Sequence, residues 1–202
     1  MDKKETIYVF DFDGTLTKRD SLLQFVSYVN GPWKLGLSLL LLLPKLLLMK
    51  LHLRDNGRTK EEFFAWHFRG KRLSDFNAFC ETFARNYPEL LREAGMATLS
   101  KALKQGAQCL VVSASVDNWV KPFFPDAVKV LGTQLEVKDG RLTGRFTTHN
   151  CYGPEKVRRL KEAYPDLESN RDKYYIIAYG DSRGDKEILE FADERHYKPF
   201  RK

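Results

Sequence analysis

The sequence predicts an α/β fold: a parallel sheet flanked by helices, with an inserted all-helical cap and a small β-hairpin. Three observations lead there. Ile7–Phe12, Cys109–Val112 and Tyr174–Tyr179 are short runs dominated by aliphatic and aromatic residues, as expected of strands buried on both faces of a parallel sheet. Each run leads into small or polar residues: Asp13-Gly14 after the first, Ser113-Ala114-Ser115 after the second, Gly180-Asp181-Ser182 after the third. From Ser21 to about Tyr87 the texture is helical and carries no strand signal. The chain therefore divides into a core, residues 1–17 and 98–202, and a cap, residues 18–97.

The elements follow in order. Tyr8 and Phe10 flank Val9 with bulky apolar groups, so the first strand is central. "SLLQFVSYV" places apolar residues at i, i+1, i+4 and i+5, a helical face. "TKEEFFAWHF" and "SDFNAFCETFARNY" continue the pattern, the second with Ser74 as a candidate N-cap. Phe63, Phe64, Trp66 and Phe68 are expected in the interior of the cap, because helical spacing alone accounts for them. Near Thr98 a helix resumes and stops at Gly106. A short strand is expected at Val128–Leu131. Two further runs meet at Asp139-Gly140, a strong hairpin signal. "GPEKVRRLKEAY" reads as a helix with Pro154 in its first turn.

The bulk numbers bound the answer. With 202 residues the chain can bury a core without disulfides or structural metal. Its 34 basic and 27 acidic residues leave a net charge of +7, compatible with anionic partners. Cys80, Cys109 and Cys151 are odd in number and widely spaced, which argues against a disulfide framework and fits a reducing, cytoplasmic compartment. His149 and Cys151 lack the partner pair of a zinc site and are read as structural. "MDKKETIYVF" has no apolar stretch of the signal-peptide kind ahead of its first strand.

The chemistry gathers past the carboxyl ends of the strands, where open α/β sheets place their functional residues. Asp11 and Asp13 are two apart, so an extended backbone points them the same way. Gly14 permits a sharp turn directly after them. With Asp181 arriving from another strand, these carboxylates form a hard oxygen pocket suited to Mg²⁺. A carboxylate beside a metal can also serve as nucleophile toward a phosphate, provided that cations and donors cancel the repulsion. Ser113 and Lys156 are the right types for that task. Lys156 also lies in the first turn of its helix, where free backbone N–H groups favour an anion.

These residues are similar to the four signature motifs of the haloacid dehalogenase (HAD) superfamily, in its phosphoserine phosphatase-like branch. "DFDGTLT", "VVSAS", Lys156 within "YGPEKVRRL", and "YGDSRGD" occur in the right order, and "VKDGRLTG" resembles the same branch. The resemblance implies a Rossmann-like core with a cap inserted after the first strand. It implies Asp11 as nucleophile and Asp13 as the acid that protonates the leaving alcohol, then the base that activates water. It implies Ser113, Lys156, Phe12 and Gly14 as phosphate-binding, and Mg²⁺ held by Asp11, Asp181 and the Asp13 backbone carbonyl. Asp185 and Ser182 would support that shell, Asp185 through water or by orienting Lys156. Ser115 either touches substrate or caps a helix.

The cap should choose the substrate. Asp20 stands near the position where phosphoserine phosphatases carry a Glu that reads the amino group, but it also suits a helix N-cap. Elsewhere the cap differs from theirs by its leucine tract, Leu35–Leu51. Fifteen residues, Leu35 to Met49, interrupted by Pro44 and Lys45, fall short of the roughly 20 that span a bilayer. Trp33, Lys34, Lys45, Lys50, Arg54 and Arg58 surround the tract, which suits an anionic membrane surface. Self-association as a homodimer would show the same apolar texture. The combination resembles phosphatidylglycerophosphatase C-like members of the branch. The expected substrate is thus a lipid-linked or amphipathic phosphomonoester, met at the inner membrane surface by a peripheral enzyme. The alternatives are a soluble phosphometabolite such as phosphoserine, or phosphotransfer to another alcohol. A nucleic-acid-binding role is not expected, since it leaves the strand-end carboxylates unexplained.

Overall fold

The computed structural model describes residues 4–51, 53 and 55–201. Strand β1 (Glu5–Phe10) is followed by a tight turn over Phe12–Leu16, then helices α1 (Ser21–Asn30), α2 (Pro32–Lys50), α3 (Asn56–Phe68) and α4 (Leu73–Asn86). Helix α5 (Glu93–Lys104), β2 (Gln108–Val116), α6 (Asp117–Val120), β3 (Val128–Thr133), β4 (Leu135–Lys138) and β5 (Arg141–Phe146) come next. The chain closes with α7 (Pro154–Ala163), β6 (Tyr174–Gly180), α8 (Lys186–Phe191) and β7 (Glu194–Tyr197).

The expected parallel sheet is present, in the order β3-β2-β1-β6-β7, every pairing parallel. Alternate residues of each strand feed two separate cores. Ile7, Val9, Leu110, Val112, Ile176 and Ala178 face α7 and α8. Phe10, Val111, Ile177 and Tyr179 face α5 and the cap. Burial on both faces is why these strands read as continuous apolar runs rather than alternating ones. The hairpin β4–β5 turns at Asp139 and Gly140, both with positive φ (50° and 70°), the conformation that makes Asp-Gly a turn pair.

The chain crosses between core and cap at Thr17 and Leu91, which form an antiparallel bridge. Lys18 N–H donates to Leu90 (2.8 Å) and Arg92 N–H to Leu16 (2.7 Å). The expected division at residues 97/98 falls inside α5, whose Leu99 and Ala102 are buried with the sheet core.

An aromatic cluster organises the cap. The Phe25 ring lies 5.6, 5.5 and 5.3 Å from those of Phe68, Phe76 and Phe83. It also stacks at 5.3 Å on Trp119 of α6, so the cap interior continues into the core. Phe63, Phe64 and Phe68 are buried as expected. Trp66 is not: its side of α3 faces outward and it is 46% exposed.

Other local expectations shift. β1 stops at Phe10, because the backbone leaves the strand for the Phe12–Leu16 turn. β2 runs on to Val116, beyond the expected Val112. Arg72, not Ser74, precedes the first turn of α4, and Ser74 Oγ donates to Asp75 instead. Helix α2 continues through Pro44. Its inner side holds Ser38 and Leu42, while Leu37, Leu40, Leu41, Leu43, Leu47 and Leu48 are exposed, with Trp33 91% exposed at its start. Lys45 is tied to Glu62 of α3 at 2.6 Å. The Lys50 side chain and Arg54, parts of the expected basic flank, lie outside the described residues. Among those residues no helix is long and apolar enough to cross a membrane.

Candidate active site

The site lies past the carboxyl ends of β1, β2 and β6. Asp11 is buried, held where its N–H donates to Tyr179 O at 2.9 Å. Lys156 is the third residue after the Gly153 N-cap of α7, and its side chain is 3% exposed. Its Nζ donates to Asp11 Oδ1 at 2.6 Å and to Asp185 Oδ1 at 2.5 Å. The other oxygen of Asp185 accepts from the amides of Asp181 (3.1 Å) and Ser182 (2.9 Å) and from Ser182 Oγ (2.8 Å). A buried carboxylate needs such partners. Asp185 therefore fixes Lys156 and the Asp181 turn at once, and Ser182 completes a capping box with it.

Charge balance sets the protonation states. Burial pushes Asp11 up, to about 7, against the pull of Lys156. Burial also opposes the Lys156 ammonium, but Asp11 and Asp185 outweigh it and hold that cation firmly charged. Asp185 would rise on burial alone, yet Lys156 and the Ser182 donors hold it below the usual carboxylate range.

Carboxylate oxygens of Asp11, Asp181 and Asp185 all lie within 4.8 Å of one another. Asp181 Oδ1 is buried without a hydrogen-bond partner, while Oδ2 meets Arg201. Both oxygens of Asp185 are already taken by donors, so the buried carboxylates of Asp11 and Asp181, the latter with an unsatisfied oxygen, are those left to fit a cation such as Mg²⁺. Gly14 (φ +83°) leaves the room: a Cβ there would stand 2.5 Å from Asp181 Oδ2.

The Asp13 side chain is not in this cluster, contrary to the expectation of two aligned carboxylates. The turn at Phe12–Leu16 breaks the extended backbone on which that alignment rests. Asp13 Oδ1 accepts from Ser21 N–H (2.6 Å) and Oδ2 from Ser115 Oγ (2.5 Å). Ser115 is therefore not a helix cap; Val116 precedes α6, and the Ser115 hydroxyl serves Asp13. Ser113 is buried on the same strand, its Oγ accepting from Ser115 N–H at 3.0 Å. Asp20 caps α1, accepting from Leu23 N–H at 3.0 Å. The Phe12 ring packs against Phe123 and Phe124. The Gly14 amide donates to Thr17 Oγ1 at 3.0 Å rather than toward a ligand. Cys151 is buried, its thiol donating to Leu131 O, in keeping with a structural role.

Two features escaped the sequence reading. Ser21 links Asp13 to the Trp119 indole, which donates to its Oγ at 3.1 Å. Lys60 of α3 reaches from the cap to Ala114 O, 2.7 Å away. Nothing in "TKEEFF" separates such a lysine from a solvated one. A cleft of about 600 Å³ between α3, the hairpin and α7, lined by Arg58, Glu61, Phe146, His149 and Arg159, lies beside the site and not over its carboxylates.

The family model for haloacid dehalogenase-like hydrolases matches residues 8–190. The chain belongs to that family. It is 36% identical to Protein CicA of Caulobacter vibrioides over 210 residues, covering all of this chain and 89% of that protein. Among solved structures, a Bordetella pertussis Tohama I protein of unknown function superposes with a TM-score of 0.79 at 21% identity, covering 96% of this chain and 89% of that one. A phosphoserine phosphatase carrying a phospho-aspartyl intermediate analogue gives 0.63 at 16% identity, covering 96% and 86%. The fold of this hydrolase is thus shared with phosphoserine phosphatases.

Proposed function

We propose that this hydrolase is a Mg²⁺-dependent phosphomonoesterase working through an aspartyl phosphate on Asp11, with a lipid-linked or amphipathic phosphate as substrate. The observation that carries the reaction is the buried Asp11–Lys156–Asp185 relay beside Asp181. Asp11 supplies a carboxylate oxygen to phosphorus, and the ester oxygen departs with the electrons of its P–O bond. Asp13, held apart by Ser21 and Ser115, gives that oxygen its proton. It then takes a proton from the water that attacks the acyl phosphate, releasing inorganic phosphate and restoring Asp11. Lys156 and the Ser113 hydroxyl hold the phosphoryl oxygens. Asp11, Asp181 and the Asp13 backbone carbonyl would hold Mg²⁺, which supplies charge neutralisation when bound.

The substrate reading rests on α2. Its outer face shows Leu40 66%, Leu41 60% and Leu47 53% exposed. Monomers rarely leave so much contiguous leucine uncovered. With Lys34 exposed in the first turn of the same helix, the face suits an anionic lipid surface, met peripherally. The reading also draws on the sequence resemblance of the leucine-rich cap segment to phosphatidylglycerophosphatase C-like proteins. The second reading, a soluble phosphometabolite such as phosphoserine, draws on the fold shared with phosphoserine phosphatases and assigns the leucines to self-association.

The test is a panel of phosphatidylglycerol phosphate in mixed micelles against soluble phosphomonoesters, with release of inorganic phosphate as readout and no added acceptor. The lipid should give the highest kcat/KM, and a Leu40→Ser/Leu41→Ser/Leu47→Ser variant should lose binding to anionic vesicles. A soluble winner by orders of magnitude, with no vesicle binding by the parent, would overturn the lipid assignment. Release of phosphate only with an added alcohol would make the enzyme a phosphotransferase.

A further inference from the structure

We propose that Lys60 is a specificity-determining residue: its ammonium reads a second anionic group on the alcohol side of the phosphomonoester. The inference rests on the phosphomonoesterase reading and adds the chemical class of the leaving group.

Lys60 stands in the second turn of α3, a cap helix whose N-terminus is capped by Asp55. Its side chain leaves the cap and ends against the core, Nζ donating to Ala114 O at 2.7 Å. Ala114 sits between the two serines of the site. Ser113 is on one side, and Ser115, whose hydroxyl holds Asp13, is on the other. The cation thus lies beside the acid that meets the leaving oxygen, and Asp13 and Asp20 are the carboxylates that act on it most strongly.

The hydrogen-bond inventory leaves it underused. An ammonium has three donors, and one is spent on Ala114 O. That carbonyl already accepts from Thr133 Oγ1 at 2.8 Å. Among the described residues no carboxylate oxygen lies within 4.0 Å of Lys60 Nζ. Two other lysines differ. Lys45 is paired with Glu62, and Lys156 is paired twice. Lys60 is half-buried, and a cation partly removed from water without a paired anion is costly. Desolvation is the largest influence on Lys60, so its anion is expected to arrive with the substrate.

Lys156 already serves the transferred phosphoryl group from the core side. Lys60 comes from the opposite side, on the element that covers the alcohol. Its ligand is therefore a second anion a few bonds from the ester oxygen. A phosphodiester would come from a glycerophospholipid headgroup, and a carboxylate from a phosphorylated hydroxy or amino acid.

The test compares substrates that differ by that one charge. Glycerol 3-phosphate and 3-phosphoglycerate have the same skeleton, the second bearing a carboxylate. Phosphatidylglycerol phosphate supplies the phosphodiester arm, and p-nitrophenyl phosphate the arm with no second anion. The parent enzyme should favour at least one anionic-alcohol substrate over its uncharged counterpart by tenfold or more in kcat/KM. Lys60→Met should lower that ratio at least tenfold, mainly through KM, and Lys60→Arg should restore most of it. Whichever arm collapses identifies the source of the anion. A parent that does not prefer the charged substrates overturns the inference, whether or not the variant folds. So does a Lys60→Met enzyme whose ratio stays within twofold of the parent, since Lys60 would then only tie cap to core. No phosphate released from any arm would instead overturn the phosphomonoesterase reading itself.

Discussion

Asp185 offers the sharpest test of how the site is held together. It is fully buried, yet accepts four hydrogen bonds, from Lys156 Nζ, the amides of Asp181 and Ser182, and Ser182 Oγ. In Asp185→Asn the side-chain NH₂ must replace one oxygen. It then faces either the Lys156 ammonium or the amide donors, so a donor meets a donor in both orientations. Removing one partner from a buried ion pair costs about 3–5 kcal/mol. For a chain of this size each kcal/mol moves Tm by roughly 2–4 °C, so the melt should fall by about 6–20 °C. The measurement is thermal or urea unfolding at pH 7 with EDTA present. Lys156 holds the folded-state pKa of Asp185 below its ordinary 3.8. Its stabilisation is therefore present above that value and lost as the pH falls through the carboxylate range, and the gap between variant and parent should close in acid. Pairing also predicts non-additivity. Lys156→Met/Asp185→Asn should be no more than about 1 kcal/mol worse than the weaker single variant. A variant melting within 2 °C of the parent at pH 7, or a strictly additive double variant, refutes the relay as described.

Gly14→Ala should abolish turnover and weaken Mg²⁺ binding, read by calorimetry, because its methyl would collide with Asp181 Oδ2 and the positive φ would be strained. Asp193 Oδ2 accepts from Ile176 N–H at 2.7 Å and Arg171 Nη2 at 2.8 Å. Burial alone would raise its pKa, but these donors hold it below normal. Asp193→Asn should cost about 1 kcal/mol at neutral pH, and urea titrations should show the deficit vanishing as the pH drops through the carboxylate range. Burial pushes the thiols of Cys109 and Cys151 up to about 11 and that of Cys80 higher still. All three should resist a thiol reagent at pH 8 until denaturant is added, and a fast-reacting native thiol would contradict that burial.

The strands were legible because each is apolar on both faces, and a doubly buried strand leaves that mark in consecutive residues. The helical insertion was legible from spacing, and the hairpin from Asp139-Gly140. Asp11, Ser113, Lys156 and Asp181 could be singled out because each stands where a strand was expected to end or in a helix's first turn, where a polar residue has no packing reason to be, whereas Asp185 came only with the family resemblance. What could not be read depends on neighbours far away in sequence. The direction of the Asp13 carboxylate is set by Ser21 and by Ser115, which is 102 residues distant. Lys60 acquires its place only when α3 folds over Ala114, 54 residues away. Trp66 shares its helical spacing with Phe63, and only the packing of α3 against its neighbours decides which is covered. Pro44 looked like a break, but the single backbone bond it forgoes is tolerated within α2.

The Phe25–Trp119 stack bears on how the site is reached. Phe25 would keep its cap neighbours Phe68, Phe76 and Phe83, so prising it from Trp119 would uncover about half of each side chain, ~75 Å² on each, or about 4 kcal/mol at ~25 cal/mol/Å². A conformation that costly is visited by roughly one molecule in 10³. On that side the cap sits as a roof almost all of the time. The other approach is the polar flank, where Arg58, Glu61 and His149 border a cleft beside the site. A substrate with a bulky apolar tail would then enter head first and leave its tail outside, so chain length should scarcely alter turnover, whereas a thickened headgroup would stall at the door.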